Sequence, residues 1–504
     1  MPPAARSLLV VLMSVSACFR VGEPRSGSAA PAVTDEPTEL TAPSAAAVEA
    51  PAAVDSTIAD LEAAVHAPIP TLRHAEADVE ALGEPEPARE VLETVELMGH
   101  ANVRAEPRLD APALGMVALG GRVDVYAHVE GEGCRKGWLE IAPRGYICAK
   151  TQATRRSADG ILPEVPDGAR VPGVYGSVAK DALVYANLDA ALRGDGQAPG
   201  RHLTVRRGRA VNRDGQSFWK TRYGLIRDTD VRRLKGTAFH GEILDDGLTQ
   251  PLAWTLPGPD DKRVHKVKTV AVFAAADEQA QVVAQLPARR ARLVLEERDG
   301  FVRVDEGWIA QDRVRIARRT TPPTEVGEHE RWLDIDLSQQ VLVAYEGIVP
   351  VYATLISSGR PGHRTPTGIF RISRKVAERT MNSMADSADS YSVDKVPWTA
   401  YFATGYALHA AFWHGGFGRT RSHGCVNLAP HDARALYDWM APAAAPGWAE
   451  VFGHEAQPGS LVRMRSRKDP EPQWKGYARQ MHEAPHTEPV AEPVAEPVVV
   501  ASAR

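Results

Sequence analysis

Between His409 and Asn427 the chain reads HAAFWHGGFGRTRSHGCVN, nineteen positions that hold the parts of a thiol site. Cys425 is the expected nucleophile. A free thiol has a pKa of ~8.5 and is mostly protonated at neutral pH, so an imidazole must form or stabilise the thiolate. His409, sixteen residues upstream across a glycine-rich turn, is the expected base and later proton donor to a leaving amine. His414, followed by Gly415, is its rival. His423, two residues before the cysteine, is expected to tune the thiolate or bind substrate, or else to be a hydrogen-bonded loop histidine. Gly424 allows close backbone approach, and the Cys425 N–H together with that of Gly424 is the expected oxyanion donor. Ser422 is read as a turn cap, Asn427 as a brace for the loop backbone, and Arg419 as a partner for a substrate carboxylate. A zinc site of His409, His414, His423 and Cys425 is the competing chemistry.

The elements that must carry these residues read as strands. Leu333, Ile335 and Leu337 alternate with Asp334 and Asp336, and Ser338-Gln339-Gln340 turns into Val341-Leu342-Val343-Ala344-Tyr345. Glu346-Gly347 turns again, into a strand with Val349, Val351, Ala353 and Leu355 inward. Gly359-Arg-Pro-Gly is a loop, and Thr365-Pro366-Thr367-Gly368-Ile369-Phe370 leads to a further strand. Residues 376–398 are polar and irregular, the texture of a long functional loop such as a lid. Pro430 opens a helix with Leu436, Trp439 and Met440 on its apolar side, and Gly459 to Met464 closes the domain as a strand.

Asp336-Leu337-Ser338-Gln339-Gln340, Ser358-Gly359, Thr365-Pro366-Thr367-Gly368-x-Phe370, His409 and Ser422-His423-Gly424-Cys425-Val426-Asn427 together resemble the L,D-transpeptidases over residues 331–466. The resemblance implies a mostly β domain with one main helix, a nucleophile in a cleft under a lid, and a backbone carbonyl that fixes the base's tautomer. It favours the thiol over the metal, so neither metal nor other cofactor is expected. Trp413 and Phe417-Gly418 fit a subgroup pattern and would shape the cleft. Ala410 stands where many members carry Gly or Ser.

Upstream, a short n-region with Arg6 and the apolar run LLVVLMSVSA end at Val15-Ser16-Ala17-Cys18, which resembles a bacterial lipobox with Cys18 the lipidated residue. An ordinary signal peptide is the plainer reading, and both imply export. Residues 19–92 are Ala-, Pro- and Glu-rich with almost no aromatics and cannot offset the entropy of ordering, apart from a possible helix over 57–82. As loose coil they would span about 40–50 Å, a tether beside the membrane. Residues 95–150 alternate like short strands and resemble bacterial Src-homology-3-type barrels, through Asn102-Val103-Arg104, Gly137-Trp138-Leu139 and Gly145-Tyr146-Ile147. Cys134 and Cys148 lie within this one module of an exported chain and are expected to form a disulfide. Residues 265–317 repeat the pattern, Gly300 standing 163 positions after Gly137, and 173–234 read as a divergent copy. Trp138, Trp219 and Trp308 are read as packing aromatics ahead of wall-binding platforms. EPVAEPVAEPVVV, within a tail over 467–504, is low-complexity and expected to be disordered.

The chain is therefore expected to be mainly β, with N-terminal barrel modules before the catalytic domain. A net charge of −5 over 504 residues excludes a dominant basic surface and hence nucleic acid as main partner. By resemblance, Cys425 would attack the peptidoglycan stem between the diamino acid's L-centre and the terminal D-Ala, release D-Ala, and pass the acyl group to an amine to make a 3-3 cross-link. A hydrolase on the same scaffold and a non-catalytic wall-binding lipoprotein are the alternatives. Phe19 after Cys18 leans toward the outer membrane of a periplasmic, lipid-anchored protein.

Overall fold

Strand-forming runs dominate the computed structural model, which describes residues 89–149, 155–156, 165–245, 249–258, 269–324, 326–383, 390–445, 447–454 and 457–483. Cys18, residues 19–88 of the tether, the 57–82 segment and EPVAEPVAEPVVV lie outside the described residues, whereas 89–92 are not tether: Arg89 pairs with Glu140 at 2.6 Å and Leu92 N–H donates to Val125 O. Three α-helices occur among the described residues: Leu188–Arg193, Pro430–Trp439 and Gly476–Glu483. No helix of the described residues is long and apolar enough to cross a membrane.

Two sheets enclose the core beside the candidate site. The first is six-stranded, in the order Glu242–Ile243, Val349–Leu355, Val341–Glu346, Arg331–Asp336, Leu461–Arg465 and Gly368–Arg371. Arg331–Asp336 and Leu461–Arg465 run parallel, and Asp334, 1 % exposed, binds Arg463 at 2.6 Å and Arg465 at 2.8 Å across that pair. The second carries Arg374–Asn382, Tyr391–Ala403, Tyr406–Ala410 and Val426–Leu428. Leu333, Leu342, Phe370, Phe402, Leu408 and Val426 pack between them. The helix Pro430–Trp439 closes this core with Leu436 and Trp439, the proline at its first turn costing no hydrogen bond. Asp432, wholly buried, pins it by accepting hydrogen bonds from Tyr352 Oη, Thr354 Oγ1 and the Gly241 N–H.

Within 376–398 the described residues are mostly strand and not irregular loop. Arg374–Asn382 and Tyr391–Ala403 pair antiparallel over their length. Their strand period is hidden in the sequence because Lys395 and Trp398 have positive φ and Pro397 sits opposite Glu378, breaking the alternation. Their polar residues find partners in the segment around 173–234. Tyr391, Ser392 and Val393 pair in parallel with His202, Leu203 and Thr204. Arg206 bonds Glu378 at 2.5 Å, Tyr223 Oη lies 2.7 Å from Ser392 Oγ, and Tyr175 Oη donates to the Lys395 carbonyl at 2.8 Å.

The three upstream segments share a local plan. Each has a tight hairpin, Trp138–Ile141 with Tyr146–Cys148, Gln216–Thr221 with Gly224–Arg227, and Phe301–Val304 with Gly307–Ala310. In each the returning strand pairs back to an earlier residue, Arg104 with Tyr146, Tyr185 with Leu225 and Phe273 with Trp308. Trp138, Trp219 and Trp308 are buried. Cys134 and Cys148 are joined in a disulfide. The last segment begins before residue 265, since Leu252–Thr255 pairs with Val314–Ala317. At the other end, 467–483 is built into the domain: Ile369 N–H donates to Gln473 O, and the helix Gly476–Glu483 follows, with Trp474 stacked on His482.

Arg206→Ala should loosen the hairpin without unfolding the core. Hydrogen exchange should speed up by at least tenfold at residues 391–394, the loss of an intrinsic bond to a charged group being worth about 1.5–3 kcal/mol, while 331–346 stay protected. Equal protection in both forms would mean that the segment does not hold the hairpin.

Candidate active site

The strand Tyr406–Ala410 and the short strand Val426–Leu428 run parallel, Leu408 opposite Val426 and His409 opposite Asn427. Alternation along each strand puts Cys425 and Asn427 on one face, beside the Ala407–His409 side of the neighbour. Cys425, His409, His414, His423, Asn427 and Trp413 all line one cavity of about 1450 Å³. Among the described residues Cys425 is the free cysteine.

Cys425 directs its Sγ toward the Gly405 carbonyl, 3.8 Å away. Burial pushes the thiol up from its ordinary pKa, opposed by a hydrogen bond from the Ala407 N–H. His409 is 3 % exposed, and its Nδ1 lies 3.1 Å from the Ala410 carbonyl. A carbonyl can only accept, so Nδ1 carries the proton and Nε2 keeps its lone pair. Burial lowers the His409 pKa to about 4. The resting pair is thus neutral thiol and neutral imidazole, and Trp413 stacks on the imidazole at 5.8 Å.

His414, the rival base, is committed elsewhere. Its Nδ1 accepts from the Gly416 N–H at 3.2 Å, so its proton is on Nε2, 2.9 Å from the Asn427 side-chain amide, whose oxygen must face it. Burial first, then Arg421, lower its pKa to about 3. Asn427 also pairs through its backbone with Ser357, at 3.0 and 2.9 Å. His423 is exposed on the cavity lip between His363 and Tyr391, with ring centroids 4.6 and 5.0 Å away. Arg360 Nη2 lies 2.9 Å from its Nε2, and a guanidinium only donates, so that nitrogen accepts.

The turn before Cys425 is closed by Ser422, whose Oγ accepts from Gly424 N–H at 3.0 Å and donates to Cys425 O at 2.5 Å. The Gly424 N–H is therefore taken and does not point at substrate. Gly424 has φ 122°, and a Cβ there would stand 2.7 Å from the Tyr406 ring. Thr365 Oγ1 donates to the Gly424 carbonyl at 2.7 Å and accepts from Gly359 N–H at 2.9 Å, which gives the TPTG motif its place in the site. Gln340, at φ 55°, reaches back to the Ser358 N–H and Oγ. Arg419 lies away from the cavity, its Nη2 on the Pro257 carbonyl, whereas Arg421 lines it. The upstream segment also holds the loop's main chain: Arg289 Nε donates to Phe417 O and Arg315 Nε to Gly418 O, each at 3.1 Å. Among the described residues no group of three or more His, Cys, Asp or Glu side chains converges as metal ligands.

Sequence reasoning missed Tyr391, Tyr406 and the arginines of the cavity wall. Tyr391 sits in the polar stretch read as a loop, and its pKa is raised by burial and then by Cys425.

The strands and helix bring a half-buried thiol and a neutral imidazole to one cavity. Residues 330–464 match the YkuD family model, the L,D-transpeptidase catalytic domain. No curated protein matches the chain. Solved structures with local similarity include a cysteine-to-serine mutant of the Enterococcus faecium L,D-transpeptidase, 21% identical over 30% of this chain and 54% of that one, with TM-score 0.22. An L,D-transpeptidase of Stackebrandtia nassauensis is 24% identical over 28% of this chain and 57% of that one, TM-score 0.19. One from Mycobacterium tuberculosis is 19% identical over 27% and 60%, TM-score 0.20. The chain thus spans little more than half of each.

Two measurements check the electrostatics. Alkylation of Cys425 by iodoacetamide should keep rising with pH past 9, with no plateau near neutrality as an ion pair would give. A folded-state His pKa below its unfolded 6.5 leaves stability whole above pH 6.5 and lowers it as pH falls toward 4. His409 alone should account for a loss on the order of 3 kcal/mol across that window, seen as a falling thermal midpoint, and His414, lowered to about 3, extends the fall below pH 4. A midpoint constant from pH 7 to 4 would show that the imidazole is solvated.

Proposed function

We propose that the chain is an exported cysteine L,D-transpeptidase acting on peptidoglycan stem peptides. One observation carries the reading: a thiol and an imidazole with its Nε2 lone pair uncommitted line the same cavity from adjacent parallel strands, inside the segment that matches the catalytic-domain model.

The donor carbonyl, between the diamino acid's L-centre and the terminal D-Ala, is attacked by Sγ as His409 Nε2 takes the thiol proton. A general base is needed because burial keeps the thiol protonated. The Cys425 N–H is the donor for the oxyanion, since the Gly424 N–H is held by Ser422. His409 returns the proton to the departing amine of D-Ala, leaving a thioester. An amine of a second stem attacks it, the C–S bond breaks, and the sulfur is released with its proton. Tyr391 and His423 form the lip that a stem must pass.

Export agrees with the Cys134–Cys148 disulfide, which persists in oxidising compartments. Cys18 would carry the lipid, and the upstream segments would act as barrel modules toward the wall.

The full chain incubated with tetrapeptide muropeptides should release D-Ala and give cross-linked dimers by mass spectrometry. Cys425→Ala should abolish both, and His409→Ala should lower turnover by about 10²–10⁴. Product formation unaffected by Cys425→Ala would end this reading, and trimmed tripeptide without dimers would make the enzyme a hydrolase.

A further inference from the structure

The cavity beside Cys425 has a wall that the catalytic domain does not supply. Arg232 pairs with Ser177, Ser177 with Thr204, Thr204 with Val393, and Val393 with Met381. All five side chains line the cavity, so one register row crosses five strands as its floor. At about 4.8 Å between strands the row is roughly 19 Å long. His202, opposite Tyr391 in the parallel register, continues the surface toward His423.

The charge of this surface runs against that of the chain. The protein carries a net −5, yet Arg232, Arg360, Arg364, Arg379 and Arg421 line the cavity, and among the described residues no Asp or Glu does. Neighbouring arginines on the strand Val231–Leu234 supply an internal comparison. Arg233, on the opposite face, pairs with Asp228 at 3.3 Å. Arg232 is exposed, and among the described residues no hydrogen bond or ion pair holds its guanidinium. A volume of about 1450 Å³ also exceeds the roughly 300–1,000 Å³ of a pocket for one small ligand.

We propose that the segment around 173–234 completes the active site, with the Arg232 guanidinium binding a carboxylate of the acceptor peptide, the one that brings the attacking amine. This rests on the acyl-transfer reading above. The donor carbonyl must lie at Cys425, next to the loop that carries Arg360 and Arg364, and the floor leads away from there to Arg232. In the transfer step the acceptor nitrogen bonds to the acyl carbon, the C–S bond breaks, and the amine proton passes to His409 Nε2 and on to Sγ. An amine tethered through its carboxylate then outcompetes water for the thioester.

The full chain, given donor and acceptor stems together, yields cross-linked and hydrolysed products whose ratio mass spectrometry reads. Arg232→Ala should lower that ratio about tenfold, the effect of losing one charge-assisted contact. Arg232→Lys should restore most of it, and Arg233→Ala should leave it unchanged. An unchanged ratio in Arg232→Ala, or an equal loss of both products, overturns the proposal. A second measurement does not depend on turnover: calorimetric binding of an acceptor peptide with free carboxylates to the Cys425→Ala chain. It should weaken about tenfold when Arg232→Ala is added. Equal binding overturns the acceptor site even if turnover is normal, whereas weakened binding with no turnover in the unmodified chain would fault the acyl-transfer reading instead.

Discussion

The parallel pairing of Tyr406–Ala410 with Val426–Leu428 is the constraint on which the site depends. It is a short ladder, and three residues of pairing would not hold Cys425 in place alone. Asn427 extends it by bonding Ser357 on one side and His414 on the other, while Thr365 and Ser422 tie down the turn before Cys425. The outcome is a thiol whose neighbours are mostly main-chain groups. Removal from water raises the thiol's pKa, and one main-chain N–H, that of Ala407, opposes the shift.

The second organising feature is a continuous sheet. The hairpin Arg374–Ala403 could have been a mobile flap, but its strand Tyr391–Ala403 is hydrogen-bonded to His202–Arg206 of the preceding segment. Polar residues along it, Glu378 and Ser392 among them, have partners there. A flap that shares a ladder with its neighbour moves only if the ladder breaks, so access to the cavity is set by the rigidity of two segments together.

The candidate-site segment was legible through its resemblance: a strand meander, TPTGxF and SHGCxN together resemble the L,D-transpeptidases, and that resemblance favoured a thiol over a metal. The helix from Pro430 announced itself through its proline and apolar side. What was not legible depends on tertiary partners. The hairpin read as a loop because positive φ at Lys395 and Trp398 breaks its period, and its polar partners lie about 190 residues upstream. Arg419 and Arg421 are equivalent by type, and only packing decides that one binds Pro257 and the other faces the cavity. Likewise Gly424 seemed a free donor until Ser422 was seen to occupy it.

The arginine contacts from the segment before the catalytic domain bear on how such an enzyme could be assembled from parts. Leu252, Trp254 and Ala317 share a core with Trp332, Val343, Leu355 and Phe417, and the edge strand Glu242–Ile243 extends the six-stranded sheet. Arg289 and Arg315 meanwhile cap the carbonyls of Phe417 and Gly418, in the loop that leads to Cys425. The boundary suggested by sequence motifs near residue 331 is therefore not a boundary for folding. Recombination or truncation there would expose a cut hydrophobic face and free the loop that positions the sulfur. Upstream segments built this way can change only in step with the domain they support.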